Sequence, residues 1–347
     1  MSARPRLLLV GTGTMGSLHA RVIAQHDGAE LAGVVDTRFE AAQEVADKYG
    51  TAARAEIGSL SGIDAVAVAA ATEAHYALAR EVLEAGVPLL VEKPLTPSIE
   101  DSRALVAYAD SQDIPLMCGL LERYNPAIVT ARALVDQPVM VRALRHSPYA
   151  PRIKTGVAWD LLVHDVDLAL GLVPGDVARC QATRAVFSPL SVPGAEDVAD
   201  AVLTFESGAV ANVSASRLSQ RKIRLLTVYE LERMIEVDLL RKTVTVEHNV
   251  SIEAVGPDGR IYRQETVTDI PDLVTGREPL AAQLDRFLDV LAGRADAAAE
   301  RATILPAHEV VATVLAAADT SVCASSSPRP AQIPLWATAS APTSPAS

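Results

Sequence analysis

Three ionisable side chains stand at spacings of four and three near the middle of the chain: Asp160, His164 and Asp167. At 3.6 residues per turn, those spacings put all three on one face of a helix over Trp159–Leu172. Most of the rest of the stretch is apolar, with Trp159, Leu161, Leu162, Val163, Val166 and Leu168. An ionisable group on an otherwise buried helix needs a partner or a purpose, because burying a charge without one is costly. Imidazole titrates near neutrality, so His164 could take a proton from a hydroxyl, with Asp160 orienting the ring or gripping that hydroxyl. Asp and His at this spacing can also share an ion. No second group of ligands accompanies them, so no metal is expected. The plain alternative is a buried, hydrogen-bonded structural histidine. A second reactive group lies upstream in Glu92-Lys93-Pro94, directly after the apolar run Leu89–Val91. A lysine there can stabilise charge on a reacting oxygen or relay a proton. On the tripeptide alone, an ordinary strand-end surface lysine is the simpler reading.

The third feature is Gly11-Thr12-Gly13-Thr14-Met15-Gly16, a G-x-G-x-x-G directly after the apolar run Leu7–Val10. Gly11 permits the tight turn, Gly13 lets backbone N–H groups approach a pyrophosphate, and Gly16 allows close helix–strand packing. Thr14 and Met15 open the helix at the same anion-facing end. Asp36 closes the next apolar run, 20 residues after Gly16, where a carboxylate accepts hydrogen bonds from the adenosine ribose. Strand, glycines, helix, strand and acid in that order indicate a bound dinucleotide. Asp36 favours NAD by repelling a 2′-phosphate, while Arg38 beside it leaves NADP open.

Short apolar runs alternate with amphipathic stretches as far as residue 121. Strands are expected at Leu7–Val10, Leu31–Val35, Ala65–Ala69, Leu89–Val91 and Leu116–Leu120. The intervening helices cover Met15–Gln25, Phe39–Lys48, Ala74–Ala85 and Ser98–Gln112, with Ser98 as N-cap. Strands apolar on both faces belong to a parallel sheet covered by helices on both sides, here a doubly wound Rossmann fold. After residue 121 the rhythm changes. A helix follows Asn125-Pro126, a strand runs over Val139–Arg145, and the Trp159–Leu172 helix comes next. Strands follow at Arg179–Phe187, Val198–Phe205, Ala209–Ser216, Ile223–Tyr229, Met234–Val237 and Thr243–Glu247, with Ser207-Gly208 as a hairpin turn. That run predicts a large, open, mostly antiparallel sheet in an α+β domain. Two helices close it, near Leu280–Leu291 and Pro306–Ala318. The division expected is 1–121, 122–335 and a Ser/Pro/Ala/Thr-rich disordered tail at 336–347, with Ile333–Leu335 as an edge strand.

The chain has 347 residues and a formal net charge of −12. An acidic surface argues against nucleic acid as a partner. The local basic cluster Arg142, Arg145, Arg152 and Lys154 is too small to change that, but it could hold an anionic group on a substrate. Cys118, Cys180 and Cys323 form no pairing framework, which fits a reducing, cytoplasmic setting. No apolar stretch approaches the ~18 residues of a membrane span, and Leu7–Val10 is far too short for a secretory core.

Taken together, the glycine loop, Asp36, Thr72 with His75, Glu92-Lys93-Pro94, Glu122-Arg123-Tyr124-Asn125-Pro126 and Asp160-x-x-x-His164-x-x-Asp167 resemble the Gfo/Idh/MocA oxidoreductases over about residues 5–320. The resemblance implies hydride transfer between NAD and a secondary hydroxyl, with Lys93, Asp160 and His164 as the catalytic set and Lys93–Pro94 cis. It implies Thr72, His75 and Glu92 at the cofactor, and Tyr124, Asn125 and Arg152 at a small-molecule sugar substrate. The stretch Ser147–Val157 resembles the UDP-N-acetylglucosamine 3-dehydrogenase branch and relatives that oxidise an amino-sugar 3-hydroxyl in aminoglycoside assembly. Inositol-type dehydrogenases, ketosugar reductases and a non-catalytic dinucleotide sensor are the rival readings. Ala70-Ala71-Thr72-Glu73 departs from the family's Pro-rich stretch, and Trp159 stands where a small residue is common, which would reshape the sugar pocket. By analogy, the open sheet implies a homodimer or homotetramer.

Overall fold

The computed structural model describes residues 4–151, 153–256 and 259–317, the side chains of 252–256 and 259–263 excepted. Arg152, Cys323, the edge strand at Ile333–Leu335 and the tail at 336–347 lie outside the described residues.

The first half is a six-stranded sheet: β1 (Arg6–Val10), β2 (Glu30–Val35), β3 (Ala53–Arg54), β4 (Ala65–Val68), β5 (Leu89–Glu92) and β6 (Leu116–Gly119). The spatial order is β3-β2-β1-β4-β5-β6, and every pairing is parallel. β4, β5 and β6 are buried at every residue, as a sheet covered on both faces requires. Alternate side chains of β1 go to opposite layers. Leu7 and Leu9 pack with α1 (Thr14–Ala24) and α2 (Phe39–Tyr49), while Leu8 and Val10 pack with α3 (His75–Glu84) and α4 (Ile99–Ser111). Ser98 caps α4 by accepting from the Asp101 N–H at 3.2 Å. The strand order reverses between β1 and β4, and ligands of such sheets bind beyond the carboxyl ends of the strands at that point. β3 escaped the sequence reading because two residues carry no periodicity.

The second half wraps an eight-stranded sheet with α5 (Pro126–Leu134), β7 (Met140–His146), α6 (Val163–Leu172), β8 (Val177–Ala185), β9 (Val198–Phe205), β10 (Val210–Ser216), β11 (Ile223–Tyr229), β12 (Arg233–Asp238), β13 (Thr243–Gly256) and β14 (Gly259–Asp269). The order is β14-β13-β12-β11-β7-β10-β9-β8, antiparallel except for the β7–β10 pair. β13 runs well beyond the expected Thr243–Glu247, and β14 was not anticipated. The two strands form one long antiparallel ribbon, and the mostly polar β14, Gly-Arg-Ile-Tyr-Arg-Gln-Glu-Thr-Val-Thr-Asp, carries little apolar signal. In β7, β9 and β10 buried residues alternate with accessible ones. One face therefore lies against α6 and the core, and the other is open.

The chain then returns to the first sheet. Leu280, Leu284, Phe287 and Leu288 of α7 (Pro279–Leu291) share a core with Leu7, Leu9 and Ile23. A short α8 (Ala297–Ala302), capped by Asp296 and too brief for a periodic signal, places Arg301 on the Ile114 carbonyl. α9 (Leu305–Ala316) packs beside α4 and α6. These returning helices fasten the two sheets to each other.

Asn125 caps α5. Its Oδ1 accepts from the Ala127 N–H at 3.1 Å, and its amide donates to the Leu239 carbonyl at 3.2 Å. Asn125→Ala removes the cap and leaves a buried carbonyl unpaired, so stability falls by about 1–3 kcal/mol. The midpoint of urea unfolding checks this, and an unchanged midpoint would remove the capping role.

Candidate active site

The glycine loop is built by close approach. Gly11 has φ +93°, and a Cβ there would stand 2.6 Å from the Ala69 carbonyl oxygen and the Ala70 backbone. A Cβ on Gly16 would be 1.9 Å from the Gly11 carbonyl oxygen, so the helix can begin this near the strand only with glycine. Around Gly13, by contrast, no atom lies within 4 Å of an added Cβ. No side chain caps the start of α1, so the first-turn N–H groups of Thr14, Met15 and Gly16 face this open ground. Thr14 is exposed, and Met15 is half-buried against the core. Asp36, just past β2, accepts from the Thr12 N–H and hydroxyl, both at 2.9 Å, and from the Arg38 N–H at 2.9 Å. Burial opposes its ionisation, but these hydrogen bonds outweigh burial and hold the carboxyl below its ordinary range. Arg38 extends into solvent with Nε 3.7 Å from Asp36. The open cradle, the free helix donors and the ionised acid fit a dinucleotide: pyrophosphate over Gly13 to Gly16, ribose at Asp36.

The Glu92-Lys93-Pro94 turn is braced from three sides. Glu92 is buried, and its Oε1 lies 2.7 Å from His19 Nε2 on α1. It was expected to face the cofactor, but its carboxylate is engaged inside the protein. His75, also expected at the cofactor, is 1% exposed, with Nδ1 2.9 Å from the Pro94 carbonyl oxygen and Nε2 3.2 Å from that of Ala70. Its place is beneath the turn. Thr72, half-buried, begins the single helical turn after β4. His308, on α9, accepts the Leu95 N–H at 3.0 Å through Nε2 and donates from Nδ1 to the Ile304 carbonyl. Burial lowers its pKa, which keeps Nε2 free to accept. Neither His19 nor His308 was singled out from sequence. The signal available was Glu92 itself, a carboxylate at a buried strand end that must find a partner. The Lys93–Pro94 bond is cis, as expected.

Lys93 crosses to the second half. Its Nζ donates to the Asp160 carbonyl oxygen at 2.6 Å and to Asp160 Oδ1 at 3.1 Å. Asp160 lies in a π-helical turn over Ala158–Leu162 that runs into α6. The predicted helix is therefore continuous but begins with a wider turn, a form that concentrates at functional sites. The buried Glu196 carboxylate accepts the Ala158 N–H at 2.7 Å, and Gly156 leaves room for it. His164 follows on α6. Its Nδ1 is buried without a hydrogen-bond partner. Burial first, and then the facing charges of Lys93, Arg145 and Arg224, push the imidazole pKa well below its ordinary value. His164 is therefore neutral at pH 7 and able to accept a proton.

The structure separates Asp167 from the other two members of the helical trio. Asp167 is 6% exposed and is gripped through both carboxylate oxygens by Arg123, which also donates to the Thr303 carbonyl. The π turn over Ala158–Leu162 precedes both His164 and Asp167, which keep regular spacing on α6; Asp167 is set apart by its pairing with Arg123. Trp159 does not reach toward the Lys93 site. It is 7% exposed and packs on His308 with ring centroids 5.6 Å apart. Asn125, expected at the substrate, is consumed by its capping role. Tyr124, half-buried, has its phenol pKa raised by burial and by Glu300. The expected basic cluster is dispersed. Arg145 is 3% exposed and held by Asp165 and Glu122, while Arg142 lies on the open face of the sheet and Lys154 in solvent.

A dinucleotide loop thus meets an ammonium–carboxylate–imidazole group contributed by both sheets, the layout of a nicotinamide-dependent oxidoreductase. The oxidoreductase-family NAD-binding Rossmann fold matches residues 6–120, and the GFO/IDH/MocA C-terminal domain matches residues 127–236. The UDP-N-acetylglucosamine 3-dehydrogenase of Acidithiobacillus ferrooxidans is 34% identical over 82% of this chain and 88% of its own length. A solved structure of that enzyme superposes with a TM-score of 0.75, covering 90% of this chain and 99% of the other. The inositol 2-dehydrogenase of Rhizobium meliloti is 28% identical over 73% of this chain and 79% of its own. The chain belongs to the GFO/IDH/MocA oxidoreductase family. It is an enzyme that binds NAD and acts on CH–OH groups, which sets aside the dinucleotide sensor.

Removing the Asp36 carboxylate by Asp36→Ala weakens NADH binding about tenfold or more, the size of a lost charge-assisted hydrogen bond. It also narrows the preference for NADH over NADPH. Fluorescence titration of the bound nicotinamide reads both, and an unchanged NADH affinity would take Asp36 out of the cofactor site.

Proposed function

We propose that the chain oxidises a secondary hydroxyl of a sugar or amino sugar to a ketone, with the C3 hydroxyl of a nucleotide-linked or aminoglycoside amino sugar as the position attacked. The observation that carries this reading is the Lys93 ammonium, placed 2.6 Å and 3.1 Å from the two Asp160 oxygens at the mouth of the dinucleotide cleft beside a neutral His164. What NAD supplies when bound is acceptance of the hydride from the carbinol carbon. The hydroxyl proton leaves to His164 Nε2, and the C–O bond becomes the carbonyl. Lys93 donates a hydrogen bond to the reacting oxygen, and Asp160 orients Lys93 and accepts from a neighbouring hydroxyl. The 34% identity to a UDP-N-acetylglucosamine 3-dehydrogenase supports the amino-sugar substrate. Recurrent inositol 2-dehydrogenases among the relatives support inositol oxidation as the second reading, and ketosugar reduction is the same chemistry reversed.

In this reading residues 1–121 hold the cofactor and 122–335 the substrate. Gly11, Gly13, Thr14, Met15, Gly16, Asp36, Arg38 and Thr72 contact the dinucleotide, and Tyr124 stands toward the substrate. The open face bearing Met140, Arg142, Leu144, Val202 and Asn212 pairs copies into a cytoplasmic homodimer or homotetramer.

Formation of NADH across free sugars, inositols, UDP-N-acetylhexosamines and glucosaminyl aminoglycosides tests the reading. A response with one class, lost in Lys93→Ala, names the substrate class. Silence across the panel with both NAD and NADP, while the cofactor binds, would sink it. The pH dependence is a separate test. Because the free-enzyme imidazole titrates well below the ordinary value of about 6.5, kcat/KM for oxidation stays level as pH falls through that value and declines only further into acid. A decline centred at or above neutral pH, or a normal kcat in His164→Ala, would remove His164 as the base.

A further inference from the structure

Arg224, half-buried on β11, lies near this site, and its charge acts on His164. Its neighbours Leu226 and Val228 on β11 point into the core, so Arg224 projects from the same, inner face of the sheet. Its register partner on β7 is Arg145, whose guanidinium holds Asp165, the residue after His164. Arg224 therefore stands one strand away from the floor of the His164 site, at the start of the Ser147–Val157 segment that leads to Asp160.

Its hydrogen bonds differ from those of the other structural arginines. Arg103, Arg123, Arg145 and Arg277 each hold a carboxylate on the Nε–Nη2 edge, the side-on fork that matches two oxygens. Arg224 spends Nη1 on the His146 and Ile223 carbonyls, both at 2.8 Å, and gives Nη2 only to Ser147 Oγ at 2.9 Å. Among the described residues, no carboxylate lies within ion-pair distance of it. Burial and the charge of Arg145 lower its pKa to about 10 against the opposing pull of Asp165, Glu122 and Asp160, so the group remains a cation at neutral pH. A half-buried guanidinium with carboxylates nearby but none in direct contact, and with an Nε that no described hydrogen bond engages, can receive an anion on that side.

We propose that Arg224 determines substrate specificity by binding, on its Nε–Nη2 edge, an anionic oxygen group carried by the molecule whose hydroxyl meets Lys93 and His164. The group is a phosphate or a carboxylate. The inference rests on the reading of the site as one for hydroxyl oxidation, and it assigns an anionic substrate class to that site. Of the arginines and lysine of the basic cluster, Arg145 is occupied and Arg142 lies on the other face. Arg224, outside that cluster, has the required position.

Calorimetry on the NADH-loaded protein, whose pyrophosphate site is filled, tests this with UDP and D-glucuronate as probes and N-acetylglucosamine as the neutral control. One anion binds the wild type, and its binding weakens with added salt. UDP responding points to phosphate, glucuronate to carboxylate. Arg224→Gln weakens that anion about tenfold or more, and Arg224→Lys does so less. Both variants keep NADH affinity and neutral-sugar affinity. Two results overturn the proposal: neither anion binding the wild type, or Arg224→Gln weakening neutral and anionic ligands alike, as expected of a mere strap on the Ser147 segment. Should Arg224→Gln fail to fold, salt-independent anion binding by the wild type overturns it equally. Failure of the oxidation reading shows separately, as absence of NADH formation with every sugar while anion binding persists.

Discussion

The Lys93 ammonium, held between the carbonyl and the carboxylate of Asp160, is the contact on which the geometry of this protein depends. It joins the end of a parallel strand to the opening turn of a helix from a different sheet. Neither sheet alone contains a complete reacting group. A lysine is long and flexible, so holding its head to one place requires both anchors to be rigid. The returning helices supply that rigidity. α7 buries Phe287 and Leu284 in the core of the first sheet, and α9 lies between α4 and α6 with His308 beneath the Pro94 turn. Most of the surface these helices cover is apolar, so the positioning is sustained by burial as well as by polar contacts.

Under the site lies a buried electrostatic layer. Arg145 is locked to Asp165 and Glu122, and Arg123 to Asp167. Buried pairs of this kind add little net stability, yet breaking one leaves a costly uncompensated charge. Their geometric consequence is larger than their energetic one. They fix α6 against the sheet, and Arg145, with Lys93 and Arg224, places positive charge near His164, which reinforces the desolvation that keeps its imidazole neutral. Base strength is given up, and availability at neutral pH is secured.

The dinucleotide half was legible because its signals are local. A glycine that must sit 1.9 Å from a carbonyl if given a Cβ, a helix start without a cap, and an acid ending the next strand are each recorded within a few consecutive residues. The doubly covered strands announced themselves as uninterrupted apolar runs, and the alternating β9 and β10 were found at nearly their true bounds. Elements without apolar pattern were missed: β3 with two residues, α8 with six, and the polar β14.

Residue types and order along the chain were thus enough to indicate a Rossmann half and an open, mostly antiparallel sheet, and the family resemblance they carry nominated Lys93, Asp160 and His164. They could not assign partners. Arg145 reads as a free cation in sequence and is buried against two acids. Asp167 reads as a companion of His164 and is instead taken up by Arg123. His75 and Glu92 read as cofactor contacts and are braces beneath it, and Arg224, inconspicuous in sequence, stands near His164 with no carboxylate in direct contact. A charged side chain's role depends on which opposite charges come within a few ångströms of it and how much water remains there. Those neighbours lie tens of residues away in the chain, and only the closed tertiary structure brings them together.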